Sequence, residues 1–438
     1  MENNIDKEKS TKVLGDHLLY QVFFNKYKLV QKLGEGSFGM IFKAESSEGK
    51  CAFKFEKKRP NKRTLLKHES QVMSFLKGKG IPKIEKYIEE ENYSIMIMEL
   101  LGKSLETIMK ESEEKKFSVK TIALLGYELI PIIKWIHDKN IIHRDIKPDN
   151  ISIGDDDPCK IYFLDFGLAK KYRSSKTMVH NPMLKNLKLT GTARYASINA
   201  LAGYEQSRRD DCESFGYVLA YLYRGGLPWM GMRARTKEEK YNKILNLKKS
   251  ISAEILLNNA PNQLIEYLNY CKKLKYEQEP NYKYLVNLFK NIIEINLKDS
   301  IDYKYDWVTE EEAKIHMKSI GQNLETSTNS NIITTSDDTN VNINTINTNI
   351  QKVSSDDNEK NNINKVNDEK VDYYDDAVDE IILIKNREKN KNSDDEKNNK
   401  DNDDKKEKKT WTMLHYNIII YLFLAINNEY ISFINNIE

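Results

Sequence analysis

His143-Arg144-Asp145-Ile146-Lys147-Pro148-Asp149-Asn150 is followed, after a short interval, by Asp165-Phe166-Gly167. A mostly apolar helical stretch at Ile132 to Ile136, and then Ile141-Ile142, carries the chain into the first of these segments. Beyond Asn150, Ile151 to Ile153 reads as a short strand, Gly154-Asp155-Asp156-Asp157-Pro158 as a turn, and Ile161 to Leu164 as a returning strand. Asn150 and Asp165 are therefore expected at adjacent ends of one hairpin. Asp and Asn are common in loops because their side chains bond the local backbone, so either segment alone reads as an ordinary turn. Both in this order do not.

Together the two segments resemble the catalytic loop and metal-binding motif of protein kinases. Phosphoryl transfer asks little covalent chemistry of a protein; it needs an orienting group for the hydroxyl and cations on the phosphates. The resemblance implies that Asp145 accepts or orients the substrate hydroxyl, that Lys147 steadies the transferring group, and that Asn150 and Asp165 hold Mg2+ over the phosphates of ATP. His143 is expected to pack against Phe166 without chemistry of its own.

Upstream, Tyr27 to Leu33 reads as a strand running into Gly34-Glu35-Gly36-Ser37-Phe38-Gly39. A lone GxGxxG is a weak signal, shared with dinucleotide sites. There a helix follows the glycines, whereas Met40 to Ala44 reads as a second strand with a turn at Ser46 to Gly49, the hairpin that covers ATP phosphates in kinases. In the next strand Cys51, Phe53 and Phe55 share one face while Ala52 and Lys54 share the other. A helix from about Lys62 to Leu76 buries Leu65, Val72, Met73 and Leu76, with Glu69 on the same face. A buried carboxylate is costly unless paired, and Lys54 is the evident partner. The pair resembles the lysine and helix glutamate of active kinases. Ser94 to Met98 reads as an apolar strand ending in Glu99-Leu100-Leu101-Gly102, whose backbone would read an adenine edge, with Met98 guarding the pocket behind. The ATP-contacting set so implied is Leu33, Gly34, Glu35, Gly36, Ser37, Phe38, Gly39, Ile41, Ala52, Lys54, Met98, Glu99, Leu101 and Ser152.

Met98 to Glu106, Leu189-Thr190-Gly191-Thr192-Ala193-Arg194-Tyr195-Ala196-Ser197-Ile198-Asn199, and Glu205-Gln206-Ser207-Arg208-Arg209-Asp210-Asp211 narrow the resemblance to the casein kinase 1 family of Ser/Thr kinases. Ser197-Ile198-Asn199, where most kinases carry Ala-Pro-Glu, is the most specific match. Leu227-Pro228-Trp229 and Tyr303 to Trp307 extend it over roughly residues 22 to 308. The stretch from Phe166 to Tyr204 has no Asp or Glu but contains Lys170, Lys171, Arg173, Lys176, Lys185, Lys188 and Arg194, which favours an acidic or phosphorylated protein substrate. The outer lysines read as a solvated face. The family resemblance places a substrate-phosphate pocket at Arg194, Gly231 and Lys240.

Two departures from the family stand out. Lys237-Glu238-Glu239-Lys240 replaces a basic run, which should weaken anion binding nearby. Ser152 stands where kinases place an apolar floor under the adenine, a loss of ~1 to 3 kcal/mol in nucleotide affinity. The alternative to an enzyme is an inactive pseudokinase scaffold, which Ser152 favours and the otherwise complete set opposes.

The 438 residues, 39% apolar and 31% charged, suffice for one large domain and a tail. A net charge of +3 argues against nucleic acid as an obligatory partner. Cys51, Cys159, Cys212 and Cys271 lack CxxC spacing, which suggests reduced thiols in a cytosolic or nuclear compartment rather than a disulfide or zinc framework. The expected organisation is an α+β bilobal kinase: arm 1–26, kinase domain 27–308 with a β-rich lobe 27–98, hinge 99–102 and mainly helical lobe 103–308, then a disordered Asn/Asp/Lys-rich tail 309–410. Leu264, Leu268 and Cys271, then Leu285, Leu288, Phe289 and Ile292, recur at helical spacing and are expected in the core. The segment 411–438 is apolar around Ile418 to Ile426, shorter than the ~20 residues of a membrane span. An interfacial or partner-docking helix, a marginal tail anchor and sequence without selected structure all stay open for it. The chain is expected to act as a monomer.

Overall fold

The computed structural model describes residues 18–36, 39–58 and 64–329. Its first part is a sheet: Val22–Phe23 (β1), Tyr27–Gly36 (β2), Gly39–Ser46 (β3) and Gly49–Lys57 (β4), then helix Leu65–Leu76 (α1), Ile84–Glu89 (β5) and Tyr93–Met98 (β6). The six strands pair antiparallel in the order β1-β2-β3-β4-β6-β5. Alternation along β4 decides the two faces as expected. Cys51, Phe53 and Phe55 join Leu29, Met40, Phe42, Ile95 and Ile97 in one cluster, while Ala52 joins the core on the other side. Full burial of a ring such as Phe53 contributes about 2 to 3 kcal/mol.

Helix α1 starts later than the apolar pattern suggests. Thr64 makes no side-chain cap; instead the Glu56 carboxylate, at the end of β4, accepts from the N–H groups of Leu65 and Leu66 at 3.2 and 2.7 Å. Two orphan donors of the first turn are thereby satisfied from the sheet. Leu66, not Leu65, enters the core, and Leu65 is half-buried. Glu69, Val72, Met73 and Leu76 are buried as expected.

After the hinge come Leu101–Ser104 (β7), Leu105–Glu111 (α2), Val119–Asp138 (α3), Ile141–Ile142 (β8), and the hairpin Ile151–Gly154 (β9) and Ile161–Phe163 (β10). β10, β9 and β7 form a small sheet, and Lys170–Lys171 (β11) pairs with β8. The remainder is helical: Ile198–Leu201 (α4), Arg208–Arg224 (α5), Lys237–Ser250 (α6), Ala253–Leu256 (α7), Asn262–Lys273 (α8), Tyr282–Asn291 (α9) and Glu310–Asn329 (α10). Leu264, Leu268, Cys271, Leu285, Leu288, Phe289 and Ile292 are all buried in this part, as their spacing predicts.

Two expected boundaries move. The β-rich part begins before residue 27, because Leu18 is buried in the sheet cluster and β1 adds an edge to β2. The change of composition near Glu310 does not end the structure: Thr309 and Glu312 bond reciprocally as a capping box, and Ala313 and His316 are buried one helical turn apart. Ser37, Phe38, the arm up to 17, the tail from 330 and the apolar segment 411–438 lie outside the described residues. No described helix is long and apolar enough to cross a membrane. All four cysteines are free and buried.

Gly126 lets α3 pack tightly on α9, since a Cβ there would lie 2.3 Å from the ring of Phe289. Gly126→Ala should cost about 1 to 3 kcal/mol in denaturant unfolding. The smaller ring space of Phe289→Leu in the same chain should recover part of it.

Candidate active site

Between the two lobes lies a cavity of about 620 Å³. Its lining includes Leu33, Gly34, Glu35, Gly39 and Ile41 from β2 and β3, Ala52 and Lys54 from β4, Glu69 from α1, and Met98, Glu99 and Leu101 at the hinge. Asn150, Ser152 and Asp165 close it below. Gly36 pairs with Gly39 at the end of the β2–β3 hairpin. Leu100, Thr107, Asp149 and Leu164 also line it, although the sequence reading gave none of them a nucleotide contact. The Glu99 carboxylate turns behind the hinge, accepting from the Tyr162 hydroxyl and the Lys83 N–H, each at 3.0 Å, while its own N–H donates to Lys83. Ser152 is buried on β9, paired in register with Tyr162 and Ser104.

Lys54 Nζ donates to both Glu69 oxygens at 2.7 and 2.6 Å and lies 3.7 Å from Asp165 Oδ1. Burial alone would favour a neutral lysine. The carboxylates of Glu69 and Asp165 overcome it and hold the Lys54 pKa above its ordinary value. Burial also raises Glu69, against the pull of Lys54. Asp165 adopts a left-handed backbone (φ 63°, ψ 68°), which turns its side chain to the cavity and sends Phe166 into the core. His143 packs on that ring at 4.8 Å between centroids, as expected, and bonds the Leu164 carbonyl.

In the loop before β9, Lys147 Nζ meets Asp145 Oδ2 at 2.7 Å, and Asn150 Nδ2 donates to the Asp145 carbonyl at 2.9 Å. Asp145 Oδ1 is buried and has no hydrogen-bond partner among the described residues. Gly191, at φ +95°, passes so close that a Cβ would sit 3.4 Å from this oxygen and 2.3 Å from the Arg144 carbonyl. Asn150 and Asp165 stand at neighbouring ends of the hairpin, with the Leu164 N–H on the Asn150 carbonyl at 2.8 Å.

The residue that shapes this loop is Asp211 of α5, to which sequence reading gave no role. Its Oδ2 accepts from the His143 N–H at 2.7 Å and faces His137 Nε2 at 3.0 Å, and its Oδ1 accepts from the Arg144 N–H at 2.9 Å. Burial would raise this carboxyl, but the bond from His137 and the field of both histidines outweigh it and leave the pKa below the ordinary carboxylate value. Arg144 also sits at positive φ, and its Nε holds the Leu168 carbonyl at 2.7 Å.

The segment after Phe166 is less solvated than its charge suggests. Lys170 pairs with Glu205 at 3.6 Å, Lys171 is buried, and Arg173 bonds Asn140. Ser197 bonds Asp210 and caps α4, and the Ile198 N–H donates to Glu213 at 2.9 Å. Lys248 of α6, fully buried, bonds the Ala196 carbonyl at 2.5 Å beneath the Tyr217 and Trp229 rings. Neither Glu213 nor Lys248 stood out in the sequence.

Arg194 stacks over Tyr195 and Tyr221 at 5.7 and 5.8 Å, and its carbonyl accepts from Trp229 Nε1 at 2.7 Å, which ties it to the turn that holds Gly231 (φ +72°). Lys240 is exposed on the first turns of α6. Neither basic side chain has an ion pair among the described residues. Glu239 accepts from the Arg235 N–H and pairs with Lys243, each at 2.7 Å, so its charge is used to start α6.

The protein kinase domain family model matches residues 27–299, well over half of the 438-residue chain. The chain belongs to the protein kinase family. That membership supports an ATP-binding transferase, and members of the family in general use ATP with magnesium.

Asp211→Asn turns an amide N–H2 toward a donor and should cost ~2 to 4 kcal/mol at neutral pH. Because the carboxyl is depressed in the fold, its contribution is present above the unfolded pKa, near 4, and is lost as pH falls through the folded value. Urea unfolding from pH 7 down to pH ~3 should show the gap between wild type and variant constant, then closing.

Proposed function

We propose that the chain is an active Ser/Thr kinase of casein kinase 1 type that moves the γ-phosphate of ATP to protein substrates with acidic or phosphorylated residues upstream of the target. The observation that carries this is the buried, unpartnered Asp145 Oδ1 beside a glycine. A buried acceptor without a donor is costly, and a substrate hydroxyl is the donor that would satisfy it. Lys147 holds the other oxygen, so Asp145 keeps one lone-pair face fixed for the substrate proton.

The cavity fits the nucleotide. Lys54, held charged by two carboxylates, is aimed at the phosphate end, and Asn150 with Asp165 supply the oxygen donors that Mg2+ takes. When bound, the magnesium ion would neutralise charge on the phosphates. The pseudokinase reading rests on Ser152 alone, and a weaker floor raises the Michaelis constant for ATP without removing a charged group. Cytosolic or nuclear location, supported by the four free thiols, and monomeric action belong to the same proposal.

Arg194 and Lys240 carry the substrate preference, because a phosphate set against Arg194 gains charge-assisted hydrogen bonds that no described carboxylate contests. The test uses phosphatase-treated enzyme, labelled ATP and matched peptides with and without an upstream phosphoserine. The primed peptide should be faster at least tenfold, and Arg194→Ala with Lys240→Ala should abolish the difference. Asp145→Asn should remove nearly all transfer. Equal rates on the two peptides would end the priming claim, and transfer surviving Asp145→Asn would end the role given to Asp145.

Ser152→Leu should tighten ATP about tenfold, from ~1 to 2 kcal/mol of added apolar contact. Nucleotide titration reads it directly. No tightening would mean that Leu164 and its neighbours already fill the floor.

A further inference from the structure

Behind the hinge, away from the nucleotide cavity, lies a second cavity of about 920 Å³ whose lining includes Cys159, His316, Tyr303, Lys160, Ser319 and Ile320. Cys159 and His316 at its wall meet Asp157 beside them, so that three side chains converge from two distant parts of the chain. Asp157 and Cys159 flank Pro158 in the turn between β9 and β10, and His316 comes from α10. Their donor atoms all lie within 4.8 Å of one another, with Cys159 and His316 buried and Asp157 half-buried.

We propose that Asp157, Cys159 and His316 form a zinc-type metal site that fastens α10 to the β9–β10 hairpin. The donor set selects the ion. A thiolate, an imidazole and one carboxylate suit Zn2+, whereas Mg2+ and Ca2+ take oxygen-rich shells. Around zinc, ligands at about 2.0 to 2.3 Å from the metal stand roughly 3.3 to 3.8 Å apart in a tetrahedron. To reach that spacing the His316 Nδ1 to Asp157 Oδ2 contact of 2.7 Å would open slightly, and the sulfur, within 4.8 Å of both, would close in. The cavity leaves room for water as the fourth ligand.

The surroundings hold the ligands in place. The Cys159 N–H donates to Asp157 Oδ1 at 3.1 Å, and the His316 ring lies edge-on to Tyr303 with centroids 4.7 Å apart. Binding is an exchange in which Cys159 gives to solvent the thiol proton it now turns to the Tyr303 carbonyl at 3.7 Å, the His316 ring carries its proton on Nε2 so that Nδ1 is free to ligate, the His316–Asp157 hydrogen bond gives way to two metal bonds, and no oxidation state changes. The nearest opposing charge is Lys160, 3.6 Å from Asp157 on an exposed side chain that can swing away. The sequence expectation of no zinc framework rested on local cysteine spacing, which cannot register a ligand more than one hundred and fifty residues downstream.

The consequence concerns regulation. The hairpin that would bind the ion at its turn carries Asn150 and Asp165 at its open end, so metal would stiffen the element that supports both.

The test titrates the full chain with cobalt(II) alone, then with zinc. One equivalent of cobalt should give a thiolate charge-transfer band and tetrahedral visible absorption, both displaced by zinc. Cys159→Ser should lose the band, and His316→Gln should weaken binding at least tenfold. Zinc should raise the melting temperature of wild type and not of Cys159→Ser. No thiolate band in wild type, a band that persists in Cys159→Ser, or unchanged affinity in His316→Gln would each overturn the site. Should Cys159→Ser fail to fold by circular dichroism, the His316→Gln titration decides alone.

Discussion

Two opposite charges, Lys54 and Glu69, meet at 2.6 Å with almost no water around them, and much of the small lobe is arranged so that they can. Taking either charge from water costs several kcal/mol, and leaving one alone in the interior costs ~3 to 5 kcal/mol. The pair therefore acts as a condition on geometry. It forms only with α1 seated against the sheet, which the Glu56 cap at the end of β4 fixes at the helix start. It also requires Phe166 below α1: a Cβ on Gly167 would already lie 3.8 Å from Leu65 and 3.9 Å from the Glu69 carboxylate. His68 completes the seat by bonding the Ala169 carbonyl at 2.8 Å. The helix, the sheet and the loop that carries Asp165 are thus coupled through one low-dielectric contact.

In the larger lobe Asp211 has the equivalent place. It gathers two backbone N–H groups of the catalytic loop and a histidine whose other nitrogen meets the Tyr282 hydroxyl at 2.6 Å. Networks of this kind are worth more than their separate bonds because every member is buried and satisfied. Arg144 can hold a left-handed backbone because the same carboxylate fixes its N–H and its guanidinium reaches Leu168. Lys248 does related work at the far end of the activation segment. Deep burial drives its pKa well below the lysine range, and Glu213 opposes that only in part.

What the sequence revealed was whatever depends on short-range periodicity. Period two placed Lys54 opposite Phe53 and Phe55, helical phase placed Glu69 with Val72 and Leu76, and the turn after Ile153 closed the hairpin that sets Asn150 beside Asp165. Helical phase failed by one residue at Leu65, because the start of α1 is set by a carboxylate on another element. Asp211 was hidden because its partners are more than sixty residues away and an Asp in a helix's first turn reads as dipole compensation. Composition misled at α10, where a mostly polar helix buries a narrow stripe at Ala313 and His316. It misled also along the basic segment, where Lys170 and Arg173 are held by groups that no local pattern shows.

The left-handed backbone of Asp165 has a further consequence for how this position can vary. Only glycine, asparagine and aspartate enter that region at small cost, because a short polar side chain can bond locally there. Of the three, aspartate alone brings a negative charge. Shape and charge at this point are therefore one requirement. A glutamate keeps the charge but resists the turn, and a glycine keeps the turn but carries nothing to the cavity. Drift along the chemically nearest path is closed, and the position is pinned by stereochemistry before any demand of catalysis is placed on it.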